Sequence, residues 1–180
     1  MTDSHDVTIR REHPGDRNAI VEVVAAAFGS PAEARLVEAI RASPNYVPEL
    51  SLVAEVAGRI VGHVMISFAT LDDGERQHRI ASLSPLGVEP DFQRRGIGSA
   101  LVREVTARAD HRGEPCVVLE GSPTFYGRLG FEHSVLHGIR ITLPSWAPPE
   151  AAQVLRLHNY DPSIQGRVVY PPAFDDVTEH

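Results

Sequence analysis

The stretch from Arg79 to Glu120 constrains the fold more than any other part of the chain. Arg79 to Val88 reads as a strand, a short loop follows, and Gly96 to Asp110 then sets Ile97, Leu101, Val105 and Ala109 at four-residue steps on one helix face. Gly113 is the stop signal of that helix, and Pro115-Cys-Val-Val-Leu-Glu120 is a second, short apolar strand. By position the two strands are parallel, in a β-α-β unit. Pro85 lies inside the first of them, where it has no N–H to give to a ladder. Either the strand is irregular there or the segment is not a strand. An irregular strand would part from its parallel neighbour near Val88 and leave backbone groups for an extended ligand.

Around this unit the remaining elements read in order. Val7 to Arg11 alternates like a strand, and Pro14-Gly-Asp opens a helix with apolar residues at Ile20, Val21, Val24 and Phe28. Gly29-Ser-Pro stops it; Ser30 as cap, Pro31 as first helical residue and Glu33 start a second helix through about Ser43. Leu50 to Val56 and Ile60 to Phe68 form a hairpin about Ala57-Gly58-Arg59, and Asp72-Asp-Gly-Glu is a turn. Thr124 to Gly130 is a short helix, and Phe131 onward returns to strand. Beyond Leu143, six prolines from Pro144 to Pro172 interrupt short runs such as Val154 to Leu157 and Arg167 to Tyr170. These residues read as a strand-and-loop extension, 144–180, on a core of about 7–143 within a single domain.

The chain has 180 residues, enough for one α/β domain that buries roughly 70% of its unfolded surface. All 17 basic residues are arginine. The absence of lysine excludes Schiff-base enzymes and Walker-type phosphate loops, each of which needs an ammonium group. A net charge of −7 argues against nucleic acid, which asks for a basic face. Cys116, the one cysteine, can form neither an internal disulfide nor a thiolate metal site, so a reducing, cytoplasmic setting is expected. Residues Met1 to Asp6 have no basic or apolar leader character, and no apolar run approaches the roughly 18 residues of a membrane span.

Chemistry concentrates at two places. Gln93-Arg94-Arg95-Gly96-Ile97-Gly98 puts two glycines and their N–H groups at a helix start, with two guanidinium groups just before them. Such a helix start is an anion site that fits a pyrophosphate. The dinucleotide fingerprint is set aside, because its third glycine would fall at Leu101. The second place is Phe125-Tyr126-Gly-Arg-Leu-Gly-Phe131, after the next strand, where a tyrosine at the mouth of the gap can donate a proton to a leaving group.

These two motifs, with the order of elements from about Val7 to Leu143, resemble the GCN5-related N-acetyltransferases, the GNAT family. The tail Gly166-Arg-Val-Val-Tyr-Pro-Pro-Ala-Phe174 is similar to that of a bacterial branch of the family. The resemblance implies a mixed central sheet whose parallel fourth and fifth strands splay apart, flanked by helices, with acetyl-CoA as acetyl donor and no metal. Its pyrophosphate would lie on the N–H groups from Arg94 through Ile97 and Gly98 to Ser99, and Leu86, Gly87 and Val88 would accompany the pantetheine arm, the Val88 N–H near the thioester carbonyl. Tyr126 matches the tyrosine that protonates the departing thiolate. Many members carry an asparagine roughly two turns before that tyrosine; here Leu119-Glu-Gly-Ser-Pro123 fills the interval, and Ser122 is the residue left to take over that cofactor contact in part.

Thioester attack needs a neutral amine, so a base must take a proton. Glu120, at the end of its strand, is the first candidate, ahead of Ser82, Ser84 and His63. Cys116 reads as a packing residue, and His133 with His137 as a pair without a third metal ligand. The expected activity is transfer of acetyl to a primary amine, on a small molecule or a protein N-terminus. The competing expectation is a catalytically silent acyl-CoA-binding module. A homodimer is expected from the family alone. A lysine-free acetyltransferase has only the amine of Met1, or of its processed successor, to modify on itself.

Overall fold

The computed structural model describes residues 6–178, so the expectations for Met1 and the leader region lie outside the described residues. Within it the chain divides into two compact units, one made of the residues up to Ile66 with Ser84–Val105, the other of Ser67–Leu83 with the residues from Thr106 onward.

In the first unit, β1 (Val7–Arg11) pairs antiparallel with β2 (Tyr46–Val56), Val7 opposite Val56 and Arg11 opposite Leu52. Between them run α1 (Arg17–Phe28), which buries Ile20, Val23 and Val24, and α2 (Ala32–Arg41), which buries Leu36, Val37 and Ile40. Both helices show the spacing of one apolar stripe. The second begins one residue later than predicted, because Pro31 is itself the cap and the Ser30 hydroxyl accepts from the Ala32 N–H at 3.2 Å. The hairpin turn is made by Ala57 and Gly58, with φ of 49° and 78°, and β3 (Arg59–Asp72) leaves it. Both hairpin strands run further than predicted, because Val47 and Leu71 also face the core.

β4 (Gln77–Val88) passes through Pro85, whose bond to Ser84 is cis, and keeps its strand course to Val88. α3 (Ile97–His111) follows and turns Ile97, Leu101, Val105 and Ala109 inward. Gly87 lies against α1, where a β-carbon would come within 3.2 Å of the Ala27 side chain. Gly62 of β3 likewise leaves room for Leu101 and for the Gly87 carbonyl.

In the second unit, β4 and β5 (Cys116–Glu120) are parallel, with Ala81 opposite Val117 and Ser82 opposite Val118. The other edge of β5 is covered along its whole length by β8 (Ala152–Arg156), antiparallel, from Cys116 opposite Arg156 to Glu120 opposite Ala152. β8 pairs in turn with β6 (Glu132–His133). β9 (Gly166–Val169) pairs antiparallel with β3 and parallel with β7 (Ile139–Arg140). α4 (Pro123–Gly127) follows β5, and α5 (Asp175–Thr178) ends the described chain. The strand order along the mixed sheet is β1-β2-β3-β4-β5-β8-β6.

The mixed α/β architecture with parallel fourth and fifth strands is therefore the one expected. The region beyond residue 144 is more than an addition: it supplies β8, an interior strand of the sheet, and β9. Cys116, Val118, Ile80, Ile139, Val154 and Val168 pack into one apolar cluster. Cys116 is a core residue there, its thiol pushed up to about 12 by burial. Among the described residues no helix is long and apolar enough to cross a membrane.

Candidate functional site

The first motif occupies the loop between β4 and α3. Pro90–Phe92 form a single 3-10 turn, and the Glu89 N–H donates to the Val61 carbonyl at 2.8 Å, anchoring the end of β4 to β3. The Gln93 side-chain amide then reaches back and donates to the Val88 carbonyl at 3.0 Å. Gln93 thus fixes the peptide that follows Val88, a task its place in the motif did not disclose. Arg94 takes a left-handed conformation, φ 62°, and Gly96 another, φ 82°, the second of which a side chain would strain. With these two reversals the chain enters α3 at Ile97, and Arg94, Arg95 and Gly96 are exposed in front of the helix. The Arg95 guanidinium stands 5.1 Å from the centre of the Phe92 ring, and Arg59, ion-paired with Glu89, stands over the same ring. N–H groups at the start of a fifteen-residue helix, beside two arginines, make a donor set suited to phosphate oxygens. Gly98 and Ser99 form the first turn, with Ile97 buried beneath them. Leu86 and Val88 are half-buried on β4.

The second motif begins where β5 ends. The Gly121 N–H donates to the Ala151 carbonyl and the buried Gln153 side chain donates to the Gly121 carbonyl, both at 3.0 Å. Ser122 caps α4, its hydroxyl oxygen accepting from the Phe125 N–H at 3.3 Å. Tyr126 folds back over Gly121 so closely that no β-carbon would fit there. Its ring meets Phe125 edge-on at 4.8 Å and Phe131 at 5.5 Å. Burial pushes the phenol up to about 12. Glu120 is exposed as a residue, yet its carboxyl has lost enough hydration to be raised above the ordinary glutamate range, against a hydrogen bond from Tyr170 that lowers it.

A family assignment follows from comparison. Residues 8–134 match the acetyltransferase (GNAT) domain. The chain belongs to the GNAT family. This GNAT chain is 34% identical to the uncharacterized N-acetyltransferase YjhQ of Escherichia coli over 71% of each protein. The crystal structure of E. coli YhbS in complex with CoA superposes with a TM-score of 0.85 at 29% identity, covering 97% of this chain and 95% of that one. A GNAT acetyltransferase from Brucella melitensis, solved with acetyl-CoA, gives a TM-score of 0.76 at 32% identity over 95% and 99%. GNAT membership carries with it acyl transfer as the general activity.

The weaker base candidates fare differently in this GNAT chain. His63 is fully buried on β3; its Nδ1 lies 3.0 Å from the Leu52 carbonyl, to which it donates, and burial depresses the ring to about 4. Ser82 is buried in the parallel ladder opposite Val118, and Ser84 is half-buried. His137 stands 3.3 Å from Glu132, which also pairs with Arg156 at 2.8 Å, and its ring packs edge-on against Tyr160. Phe92, Gln153 and Tyr170 drew no attention in the sequence. Each acts on a partner chosen by the fold, and neither spacing nor composition signals such a pairing.

Proposed function

We propose that the chain is an N-acetyltransferase that moves the acetyl group of acetyl-CoA to a primary amine by direct attack in a ternary complex, the whole chain acting as one catalytic domain. The observation that carries this reading is the Tyr126 phenol, half-buried on α4 just after β5 and held there by its packing on Phe125, Phe131 and Gly121. A phenol in that state is undissociated at neutral pH and holds the proton a leaving sulfur needs. The same low-dielectric surroundings also disfavour a free thiolate, which helps the transfer.

The neutral amine attacks the thioester carbonyl carbon, and the carbonyl electrons move to oxygen, where the Val88 N–H stabilises the charge. One such donor contributes roughly 3 kcal/mol. Glu120 takes a proton from the nitrogen, its raised pKa bringing it nearer to a working base at neutral pH. Collapse restores the carbonyl and breaks the carbon–sulfur bond, and sulfur takes the Tyr126 proton. Solvent returns the proton from Glu120 to Tyr126, leaving an acetylated amine and free coenzyme A. In this reading the phosphates rest on the N–H groups from Arg94 to Ser99 with Arg94 and Arg95, and Leu86, Gly87 and Val88 accompany the pantetheine arm. Ser122, whose oxygen already caps α4, has its O–H left to donate to the cofactor.

Thiol release from acetyl-CoA, measured against a panel of polyamines, amino acids and peptide N-termini, tests the activity. Tyr126→Phe is expected to lower kcat by about 10² to 10⁴ while leaving affinity for coenzyme A unchanged. A wild-type protein that binds acetyl-CoA but turns over no amine would instead be the silent acyl-CoA-binding module, a reading favoured by Ser122 standing near the place of the family's asparagine.

A further inference from the structure

Gly121 follows β5 and opens the turn into α4, one residue beyond the last paired position, Glu120 opposite Ala152. Its N–H continues the ladder, donating to the Ala151 carbonyl at 3.0 Å. The return bond of an antiparallel pair is missing, because the Ala151 N–H donates to the Pro148 carbonyl at 2.9 Å instead. The Gln153 side-chain amide takes its place and donates to the Gly121 carbonyl at 3.0 Å. Gln153 is 2% exposed, and its backbone is fixed on both edges of β8, opposite Leu119 of β5 and His133 of β6. A buried amide is costly to leave without an acceptor, so the bond holds the Gly121 peptide in one orientation.

The Tyr126 ring lies against that residue. A β-carbon on Gly121 would stand 2.5 Å from Cε2 and 2.9 Å from Cδ2 of the ring, where non-bonded carbons keep about 3.5 Å or more. Cε2 neighbours the carbon that carries the hydroxyl, so the contact bears on the working end of the side chain. Phe125 and Phe131 meet the ring edge-on. The Tyr126 N–H donates to the Ser122 carbonyl at 3.0 Å, and its own carbonyl accepts from the Phe131 N–H at 3.2 Å. With backbone and flanking rings fixed, the phenol stands where the surface of Gly121 allows, and a rotation of the Gly121 peptide moves the hydroxyl. A misplacement of ~1 Å can cost about 10²-fold in rate.

We propose that Gln153 is a positioning residue for the acid: by holding the Gly121 carbonyl it sets the surface on which the Tyr126 ring lies, and with it the place from which the phenol gives its proton to the leaving sulfur. This rests on the reading of Tyr126 as the acid, and it makes β8 part of the catalytic apparatus. Gln153→Met keeps the length and volume of the buried side chain and removes the donor. With acetyl-CoA and the best amine of the panel, kcat in Gln153→Met should fall about tenfold, less than the loss a full ~1 Å displacement brings, while KM for acetyl-CoA stays as in wild type. The deciding measurement is the double variant: Gln153→Met added to Tyr126→Phe should cost no further kcat, because the hydroxyl it positions is already gone. If Gln153→Met does not fold, Gly121→Ala in the same two backgrounds asks the same question, its β-carbon pressing directly on the ring. An unchanged kcat in the single variant, or an equal loss in both backgrounds, overturns the positioning role alone. Full kcat in Tyr126→Phe, or a wild-type chain that turns over no amine, overturns the acid reading and this proposal with it.

Discussion

At the scale of the residue, His63 sets a pH dependence of stability that owes nothing to catalysis. The unfolded ring titrates near 6.5 and the buried one near 4, so between these values the unfolded chain binds the extra proton and stability falls as the pH falls. The difference amounts to about 3 kcal/mol across the window. Chemical denaturation at pH 7, 5.5 and 4 should show this slope in wild type. In His63→Leu, whatever the constant cost of leaving the Leu52 carbonyl without its donor, the slope should flatten. An equal slope in the two proteins would mean that the ring is charged or hydrated in the folded state. Among single residues the sequence revealed type and place more readily than partner: Tyr126 and Glu120 stood out by their position after an apolar strand, whereas Tyr170 is an aromatic among prolines until the fold stacks it on Phe174.

At the scale of the element, the loop from Val88 to Ile97 shows why the first motif was readable. A period-two strand, a pair of glycines and a four-residue apolar rhythm are local signals, and the fold uses them as they stand. The Gln93 to Val88 bond closes that loop. Gln93→Ala should weaken acetyl-CoA binding about fivefold, the worth of a roughly 1 kcal/mol hydrogen bond, with kcat for the best amine changed less. Calorimetric titration with coenzyme A would check it, and unchanged affinity would assign the bond to loop stability alone. β8 and β9 lie at the other extreme of legibility. At five and four residues, set among prolines, they are too short for periodicity to distinguish a sheet interior from a surface strand. Only pairing with β5 and β3 gives them their meaning.

At the scale of the whole molecule, an acidic chain without lysine has to hold an anionic ligand with arginine and backbone N–H groups. Coenzyme A at 100 times its Kd should stabilise the folded chain by about 2.7 kcal/mol, visible as a rise in thermal midpoint. Arg94→Ala combined with Arg95→Ala should lose most of that rise without altering the midpoint of the ligand-free protein, since both side chains are exposed. No rise in wild type would remove coenzyme A as its ligand. The insertion of β8 beside β5 bears on how the chain is made. A ribosome that has released residues 1–143 has delivered both motifs, yet β5 still waits with one edge open, and Gly121 lacks the carbonyl of Ala151 and the amide of Gln153. The structure that holds Tyr126 and Glu120 is therefore completed only after residues 151–156 have emerged, and a nascent chain stalled short of Ala152 would expose an apolar strand edge for chaperones to cover.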